Sequence, residues 1–325
     1  MKVRWLSREE VKSLLTMDDA IDAVEDAFLQ HSLQNVQMPP KIYLDFLKYG
    51  GDLRAMPAYL EKQDIGGVKI VNVHPNNANK GLPTVMAVLI INDPSTGAPL
   101  AIMDATYLTD IRTGAGGGIA VKHLAKKNSE KVGMVGTGRQ ARTQLMAINQ
   151  IIDVNEVKVT SKSKDDDEKF IEEMKTKVNS DYRICDLEET CKCDILVTTT
   201  PVKQPLIKSA WILEGTHINA IGADAKGKEE LDPMILKNGK IVVDDMTQSI
   251  HSGEINVPLS KGILETKDIY GELGNVIEGK IPGRINNSEI TIFDSTGLAI
   301  HDIATGFLVY TKAVNNNVGT ILSLF

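Results

Sequence analysis

Cysteine and long apolar runs are both scarce in this chain of 325 residues. Its three cysteines, Cys185, Cys191 and Cys193, lack the further Cys or His that would complete a zinc site, so they predict reduced structural thiols and no metal centre. No apolar run approaches the roughly 20 residues of a membrane helix. The N-terminus does not resemble a signal peptide. These absences predict a cytoplasmic protein without a membrane partner.

An excess of basic charge is absent as well. The chain has 36 Lys and Arg against 43 Asp and Glu, a formal net charge of -7, which excludes a broad basic surface for nucleic acid or an anionic membrane. Apolar residues, in contrast, make up 42% of the chain. A chain of this size can bury one large core or two ordinary ones, and two domains are the default expectation.

The most informative segment is Lys131–Ala141, in which a short apolar run leads into Gly136-x-Gly138-x-x-Ala141. In a dinucleotide-binding turn the first glycine allows a tight bend and the second lets the backbone approach a pyrophosphate. The small third residue lets helix and strand pack closely. The apolar pattern of residues 142–152 is typical of a covered helix. We predict a nicotinamide or flavin cofactor here; the alternative is an ordinary strand-to-helix loop.

A second predicted strand, Glu156–Thr160, ends where an NAD enzyme usually carries an acid for the ribose hydroxyls. Here the run Ser161-Lys162-Ser163 follows instead. No carboxylate would repel a 2'-phosphate, and Lys162 and Arg139 could pair with one, so the sequence favours NADP over NAD. In the alternative interpretation Lys162 is a solvated surface residue, and the acids at 165–167 begin the next helix.

Hydrophobic periodicity divides the chain into two kinds of segment. Capping-box patterns at Ser7 and Thr16 predict helices, and Lys41–Met103 is typical of a meander of antiparallel strands. A helix over about Asp104–Ala125 follows, in which four glycines indicate close approach of a backbone or a cofactor. Beyond it, strands alternate with helical segments and predict a doubly wound parallel sheet. These strands lie near 131–136, 156–160, 194–199, 217–221, 240–244 and 290–293, and residues 298–314 predict a last helix.

Three cationic side chains and one acid are candidates for chemistry. Arg54 and Arg112, if they converge on one cavity, would hold a carboxylate through their guanidinium forks; from sequence alone each is more typical of a surface or salt-bridge arginine. Lys69 interrupts an apolar strand and points either to solvent or into a polar pocket, where a lysine can bind a carboxylate or transfer a proton. Asp224 follows a parallel strand at the edge where such sheets bind ligands, or it caps the local turn.

Several short motifs together resemble the ornithine cyclodeaminase/mu-crystallin family, and within it the archaeal-type alanine dehydrogenases. The resemblance runs from about residue 7 to the C-terminus, and several motifs in the right order are more specific than the glycine turn alone. The motifs are Arg54–Pro57, Gly67–Lys69, Asn72–Pro75, Gly81–Thr84, Asp110–Gly114, Gly136–Ala141, Asn219–Asp224 and Asp294–Gly297.

What the resemblance implies for the fold is an α/β protein with a Rossmann doubly wound parallel sheet. A second α+β domain would use antiparallel strands for homodimerisation and substrate binding. The expected boundaries place this substrate domain at residues 1–126, joined by a C-terminal helix at 304–325. The Rossmann dinucleotide-binding domain would occupy 127–303, with the active-site cleft between the two.

The resemblance also implies roles for individual residues. Arg54, Lys69 and Arg112 would hold the substrate carboxylate, Lys69 would also transfer a proton, and Asp224 would act on the amine or on an activated water. The cofactor would be bound by Arg112, Thr113, Gly136, Gly138, Arg139, Gln140, Ala141, Ser161, Lys162, Ser163, Thr199 and Ser295. One departure concerns the coenzyme, because the alanine dehydrogenase pattern has an acid where this chain has residues 161–163.

The implied function is NAD(P)-dependent, reversible oxidative deamination of L-alanine to pyruvate and ammonia. Two other reactions remain open: cyclisation of L-ornithine to L-proline with loss of ammonia, and reduction of a ketimine or pyrroline-carboxylate. A non-enzymatic alternative is a small-molecule binding protein like mu-crystallin. The presence of Lys69 and Asp224 favours an enzyme over this alternative.

Overall fold

A computed structural model describes residues 2–324 of the chain. Within them the fold divides into two compact units: the first runs to Arg112 and resumes at Leu298, and the second is Thr113–Gly297. One sheet of the fold is mixed and largely antiparallel, and the other is parallel. The predicted fold class is therefore confirmed. No helix among residues 2–324 has the length and apolarity needed to cross a membrane.

The first unit contains an eight-stranded sheet in the order β18-β1-β7-β6-β5-β4-β2, with β3 added beside β4. Strands β1 and β7 pair in parallel, and the other neighbours are antiparallel. The strands are β1 (Lys2–Leu6), β2 (Val36–Gln37), β3 (Ile42–Phe46), β4 (Gly51–Leu60), β5 (Ile65–Val73), β6 (Val85–Asn92), β7 (Pro99–Asp104) and β18 (Thr320–Ser323). The helices are α1 (Arg8–Leu14), α2 (Met17–Ser32) and α11 (Ala299–Asn315).

The last helix, α11, packs against β4, β5, β6 and α2. It buries most of its first two turns, as its apolar sequence predicts. The segment 304–325, expected as one helix, instead divides between the end of α11 and the strand β18 beside β1. The sequence did not indicate β1 because the capping box at Ser7 follows it directly.

The second unit is a doubly wound sheet in the order β10-β9-β8-β11-β13-β17-β15-β16, and every neighbouring pair is parallel. Its strands are β8 (Lys131–Val135), β9 (Glu156–Thr160), β10 (Asp181–Ile184), β11 (Ile195–Thr198), β13 (His217–Ala220), β15 (Lys240–Val243), β16 (Ile269–Glu272) and β17 (Thr291–Asp294). A separate pair is formed by β12 (Lys203–Ile207) and β14 (Glu229–Leu231). The chain reverses its direction of winding between β8 and β11, which is where such sheets bind ligands.

The helices of this unit are α4 (Arg139–Ile151), α5 (Lys164–Met174), α6 (Leu187–Cys191), α7 (Pro233–Asn238), α8 (Met246–Ser252), α9 (Asn256–Ser260) and α10 (Leu273–Glu278). The six strands that the sequence predicts here are confirmed, each within one residue at either end. The outer strands β10 and β16 were not predicted, because each is short and carries polar residues. Edge strands lack the continuous apolar pattern of central ones.

Helix α3 (Thr106–Leu124) begins in the first unit and continues in the second. Three of its four glycines lie against α4: a Cβ on Gly118 would stand 3.0 Å from Cβ of Ala147, and one on Gly114 would meet the carbonyl oxygen of Thr143. The side chain of Gln144 also donates to the carbonyl of Thr113 at 2.8 Å. The close approach predicted from these glycines is therefore between two helix backbones.

Candidate active site

Lys69 lies on the covered face of the first sheet. Strand β5 places it opposite Met56 of β4 and Leu89 of β6. Gly67 shares this face, and a Cβ there would stand 3.0 Å from Cδ1 of Ile303 in α11. The alternation of the strand thus turns Lys69 toward α11, and only 1% of the residue is exposed. Of the two orientations that the sequence left open, the buried one is found.

A single carboxylate lies between Lys69 and Arg112. Asp302 is in the first turn of α11, and its Oδ2 is 2.7 Å from Nζ of Lys69. Its Oδ1 accepts a hydrogen bond from Nε of Arg112 at 2.9 Å. All three side chains are buried. The structure therefore brings together two of the three predicted carboxylate-binding residues and adds an acid that the sequence analysis did not select.

This cluster carries an excess of positive charge. Two cations contact one anion, and Lys41 adds a further positive charge near Lys69. Burial, followed by the charge of Arg112, lowers the pKa of Lys69 to about 7, and Asp302 opposes that shift. A lysine whose pKa lies near neutrality can both take up and release a proton in mild conditions.

The ends of both cationic side chains keep unused donors. Arg112 uses Nε on Asp302, and within residues 2–324 its two terminal nitrogens donate no hydrogen bond. Lys69 contacts Asp302 and has no other polar partner in the same part of the chain. Buried donors are normally paired. The arrangement is suited to a ligand that brings its own oxygens, such as a carboxylate.

Arg54 lies on the same face of the sheet as Lys69, opposite Val71 of β5. Its Nε and Nη2 donate to the two carboxylate oxygens of Asp52 at 3.0 and 3.1 Å. Its guanidinium carbon lies 5.3 Å from the ring centre of Tyr43. The salt bridge that the sequence left open is thus present, and the role of Arg54 toward a substrate stays a prediction.

In the second unit, the turn between β8 and α4 contains the glycine pattern. Gly136 has φ 97°, a value that L side chains rarely adopt, and its N–H donates to the carbonyl of Thr160 at 2.9 Å. Gly138 precedes α4 without a side-chain cap, and a Cβ there would meet nothing within 4 Å. Ala141 is fully buried. An uncapped helix start beside open space, at the switch point of the sheet, fits the pyrophosphate of a dinucleotide.

Two other predicted cofactor residues follow neighbouring strands. The N–H of Thr199, after β11, donates to the carbonyl of Val135 at 3.0 Å, and the N–H of Ser295, after β17, donates to that of Ala220 at 3.1 Å. Both therefore lie at the carboxyl edge of the parallel sheet. Of the remaining predicted cofactor residues, Arg139 and Gln140 begin α4, and Arg112 and Thr113 lie in α3.

The segment after β9 has the features of the alternative interpretation, in which a helix begins here. Ser161 and Ser163 hydrogen-bond to each other, and the hydroxyl of Ser163 caps α5 by accepting from the N–H of Asp166 at 3.3 Å. The acids at 165–167 occupy the first turn of α5. Lys162 is exposed. Its pairing with a 2'-phosphate stays a prediction.

Asp224 lies in the turn that follows β13, and 40% of its side chain is exposed. Nζ of Lys228 is 2.5 Å from its Oδ1. The turn is held by Gly222, whose N–H donates to Glu230 at 2.9 Å. The role of Asp224 toward an amine or a water stays a prediction.

Three buried acids near these strand ends were not predicted as functional. Glu230 accepts from the hydroxyls of Thr198 and Thr200 at 2.7 and 2.6 Å, and Glu254 accepts from the N–H of Glu230 at 2.8 Å. Asp294 accepts from the N–H of Glu254 at 2.8 Å. Burial raises the pKa of all three carboxyls, that of Asp294 to about 7. These acids tie the carboxyl ends of separate strands together.

Sequence reasoning missed Asp302, although a signal for it exists. It is an acid inside the apolar run Ala299–Ile303, just as Lys69 is a cation inside an apolar strand. Glu230 follows Glu229, and Glu254 lies in the mixed run Ser252–Asn256, so neither carries a comparable signal. The three cysteines are free thiols, and no group of three or more His, Cys, Asp or Glu in residues 2–324 is arranged to hold a metal ion.

Comparison with known proteins places this chain among related enzymes. Alanine dehydrogenase of Archaeoglobus fulgidus is 52% identical over 325 residues, which is 100% of this chain and 99% of that protein. The structure of an archaeal alanine dehydrogenase dimer with bound NAD is 51% identical, with a TM-score of 0.97 and 100% of both chains covered. Thermococcus litoralis Δ1-pyrroline-2-carboxylate reductase, in complex with NADH and L-proline, is 39% identical, with a TM-score of 0.95, 98% of this chain and 99% of that chain covered.

The family is shown by a match over almost the whole chain. The model of the ornithine cyclodeaminase/mu-crystallin family matches residues 1–317. The resemblance drawn from the motifs is thereby confirmed, including its archaeal alanine dehydrogenase branch. The chain belongs to the ornithine cyclodeaminase/mu-crystallin family.

Proposed function

We propose that this protein is an NAD-dependent oxidoreductase that interconverts L-alanine with pyruvate and ammonia. The observation that carries the proposal is the buried Lys69–Asp302–Arg112 cluster, because it combines a near-neutral lysine with unused guanidinium donors. The identity of 52% to an alanine dehydrogenase supports the choice of substrate. In this proposal the first unit binds the substrate and the second binds the coenzyme.

The substrate carboxylate is bound by cations of the first unit. The terminal nitrogens of Arg112 donate two hydrogen bonds to this carboxylate in bidentate fashion, and Lys69 supplies a further donor. Arg54, which shares the sheet face of Lys69, adds to the positive potential. Asp302 neutralises only one of the two cations, and the substrate carboxylate neutralises the other. Fixing the carboxylate also fixes Cα, which converts binding energy into orientation.

Proton transfers are assigned to Lys69 and Asp224. NAD, when bound, supplies the acceptor for the hydride that leaves Cα. Unprotonated Lys69 takes the proton that the substrate nitrogen releases, and water then adds to the resulting imine carbon. Asp224 accepts a proton from that water. Protonated Lys69 returns its proton to the nitrogen, ammonia leaves as the C–N bond breaks, and the hydroxyl loses its proton to become the ketone oxygen. Alanine, water and oxidised coenzyme thus become pyruvate, ammonium, reduced coenzyme and one proton, and groups in these roles typically contribute about 10²- to 10⁴-fold to rate.

The coenzyme proposed is NAD, since NAD or NADH is bound in the two related structures. The residues of the β8–α4 turn would hold its pyrophosphate. The preference for NADP drawn from Lys162 stays a prediction. It concerns one exposed side chain and is tested separately below.

A homodimer is also proposed, because the archaeal relative is a dimer and one sheet face of the first unit is apolar. The residues opposite to Lys69 in the pleat include Ile42, Leu44 and Val88, all exposed. A second copy of the chain would cover this face. Sedimentation of the purified protein measures the assembly, and a monomer at all concentrations would contradict it.

A second candidate reaction is reduction of Δ1-pyrroline-2-carboxylate. It is favoured by the reductase structure at a TM-score of 0.95, and its substrate also carries a carboxylate beside a C=N bond. The same cationic cluster would bind it.

The deciding experiment follows absorbance of the reduced coenzyme with three substrate sets. Oxidation of NADH that needs both pyruvate and ammonium supports the alanine reaction. Oxidation with pyrroline-2-carboxylate but not with pyruvate and ammonium would replace it with the second candidate. Proline formed from ornithine without net coenzyme change would indicate the cyclodeaminase. No reaction with any of the three substrate sets would indicate a binding protein.

A further inference from the structure

We infer that Asp302 is a positioning residue, which holds Lys69 and Arg112 side by side and leaves their remaining donors for the substrate. This inference rests on the proposed function for its kinetic consequences. Its structural part concerns only the first unit of the chain. Asp302 itself transfers no proton to substrate in this scheme.

The geometry of Asp302 suits a clamp. Each of its two oxygens contacts a different cation, Oδ2 at 2.7 Å from Lys69 and Oδ1 at 2.9 Å from Arg112. The turn that carries it is packed on another side as well, because the ring of His301 lies 4.3 Å from that of Phe28 in an edge-on contact. A carboxylate on a buried helix turn cannot move far, so both cations are fixed with it.

Charge explains why such a clamp is needed. Lys69 faces Arg112 from α3, Asp302 and His301 from α11, and Lys41 from the segment before β3. The pair Arg54–Asp52 on β4 shares its sheet face. Burial lowers the pKa of His301 well below its usual value, so its ring adds no positive charge near neutrality. Without Asp302, two adjacent cations would repel each other in a buried place.

The kinetic test uses Asp302→Asn, which keeps the size and removes the charge. In alanine oxidation, the acid limb of the kcat profile should move to lower pH by about one unit or more, because Lys69 loses the charge that favours its protonated form. The value of kcat should fall more than KM rises. Asp302→Glu should restore the position of the limb, and Asp26→Asn, at a partly exposed ion pair on α2, should change neither. A wild-type profile in Asp302→Asn would overturn the inference.

A second measurement needs no substrate. Lys69 has a pKa of about 7 in the fold against 10.5 when free, so the unfolded chain binds more protons between these values and stability rises with pH across that window. Asp302→Asn should extend this rise to lower pH, and Lys69→Met should remove it. Thermal midpoints that depend on pH equally in Asp302→Asn and wild type would overturn the clamp even if alanine is not the substrate. If Asp302→Asn does not fold, Asp302→Glu decides: it keeps the charge but moves the carboxylate by one methylene, so kcat should fall while the pH limb stays in place. An unchanged kcat would exclude a positioning role.

Discussion

Two clusters of buried charge in this chain, one in each unit, are paired in different ways. In the first, one carboxylate contacts two cations, Lys69 and Arg112, and donors are left over. In the second, Glu230 and Asp294 use both of their oxygens on backbone N–H groups and hydroxyls. A satisfied polar network stiffens a fold, whereas unused donors call for a ligand. Buried charge alone therefore does not indicate a ligand site, whereas buried hydrogen-bond donors that lack partners do.

The largest expected effect comes from removing the unpaired lysine. Lys69→Met should lower kcat by about 10²- to 10⁴-fold, because the group that takes the substrate proton is lost. Binding of NADH, followed by its fluorescence, should stay near the wild-type value. The measurement is steady-state turnover of alanine at saturating coenzyme.

Lys158 provides the matched control for this substitution. It is also a buried lysine, but its Nζ binds the carboxylate of Glu189 at 2.6 Å and the carbonyl of Lys192 at 2.9 Å. Lys158→Met should lower the thermal midpoint, because it leaves these partly buried acceptors unpaired, and should leave kcat near the wild-type value, because Lys158 is not part of the Lys69–Asp302–Arg112 cluster. Equal loss of turnover in both variants would break the comparison between paired and unpaired charge.

The second effect concerns the β8–α4 turn of the second unit, where α4 begins without a side-chain cap. Gly138→Ala places a methyl group in open space, so the fold should tolerate it while the coenzyme loses its approach to the backbone. We expect the Kd for NADH to rise by about tenfold, equivalent to about 1.4 kcal/mol, in a fluorescence titration.

Gly136→Ala, in contrast, should lower the stability of the fold. Its φ is 97°, and a Cβ would lie 2.7 Å from Oγ1 of Thr199. Strain of this kind costs about 1–3 kcal/mol of stability. A normal Kd for NADH in Gly138→Ala would remove this turn from the cofactor site, and a normal thermal midpoint in Gly136→Ala would mean that the turn tolerates a Cβ.

How much of this the sequence could predict depends on whether the signal was local. Short local patterns are enough to predict the glycine turn and the central strands. The same kind of pattern shows that Lys69 lies within an apolar strand. Such patterns do not reveal the clamp, because Asp302 and Lys69 are 233 positions apart in the sequence, 302 minus 69, and meet only after α11 packs on β5. The acids Glu230 and Glu254 likewise become related only when separate strand ends come together. Partners of buried charges are decided by tertiary packing, which a single sequence does not display.

The third effect is on the pH dependence of stability, to which Asp294 and Lys69 should contribute with opposite signs. The folded pKa of Asp294 is raised to about 7 from 3.8, so the fold binds more protons than the unfolded chain between these values. Stability should therefore fall as pH rises through that window, whereas Lys69 makes it rise above about 7. Asp294→Asn should flatten the fall, as measured by thermal midpoints from acid to neutral pH. A slope unchanged from wild type would mean that Asp294 is ionised throughout.

The smallest expected effect is on coenzyme choice. Lys162 is exposed after β9, so its attraction for a 2'-phosphate is weakened by water and salt, and surface ion pairs of this kind contribute about 0–1 kcal/mol. Lys162→Asp should shift the NADPH-to-NADH ratio of kcat/KM toward NADH by roughly two- to fivefold, which corresponds to that energy. The shift should shrink as salt is added. Lys164→Asp, at an exposed lysine in α5, is the control for a general loss of charge. If both variants change the ratio equally, the preference comes from the summed charge of the segment. If the ratio is unchanged in Lys162→Asp, this side chain takes no part in coenzyme recognition.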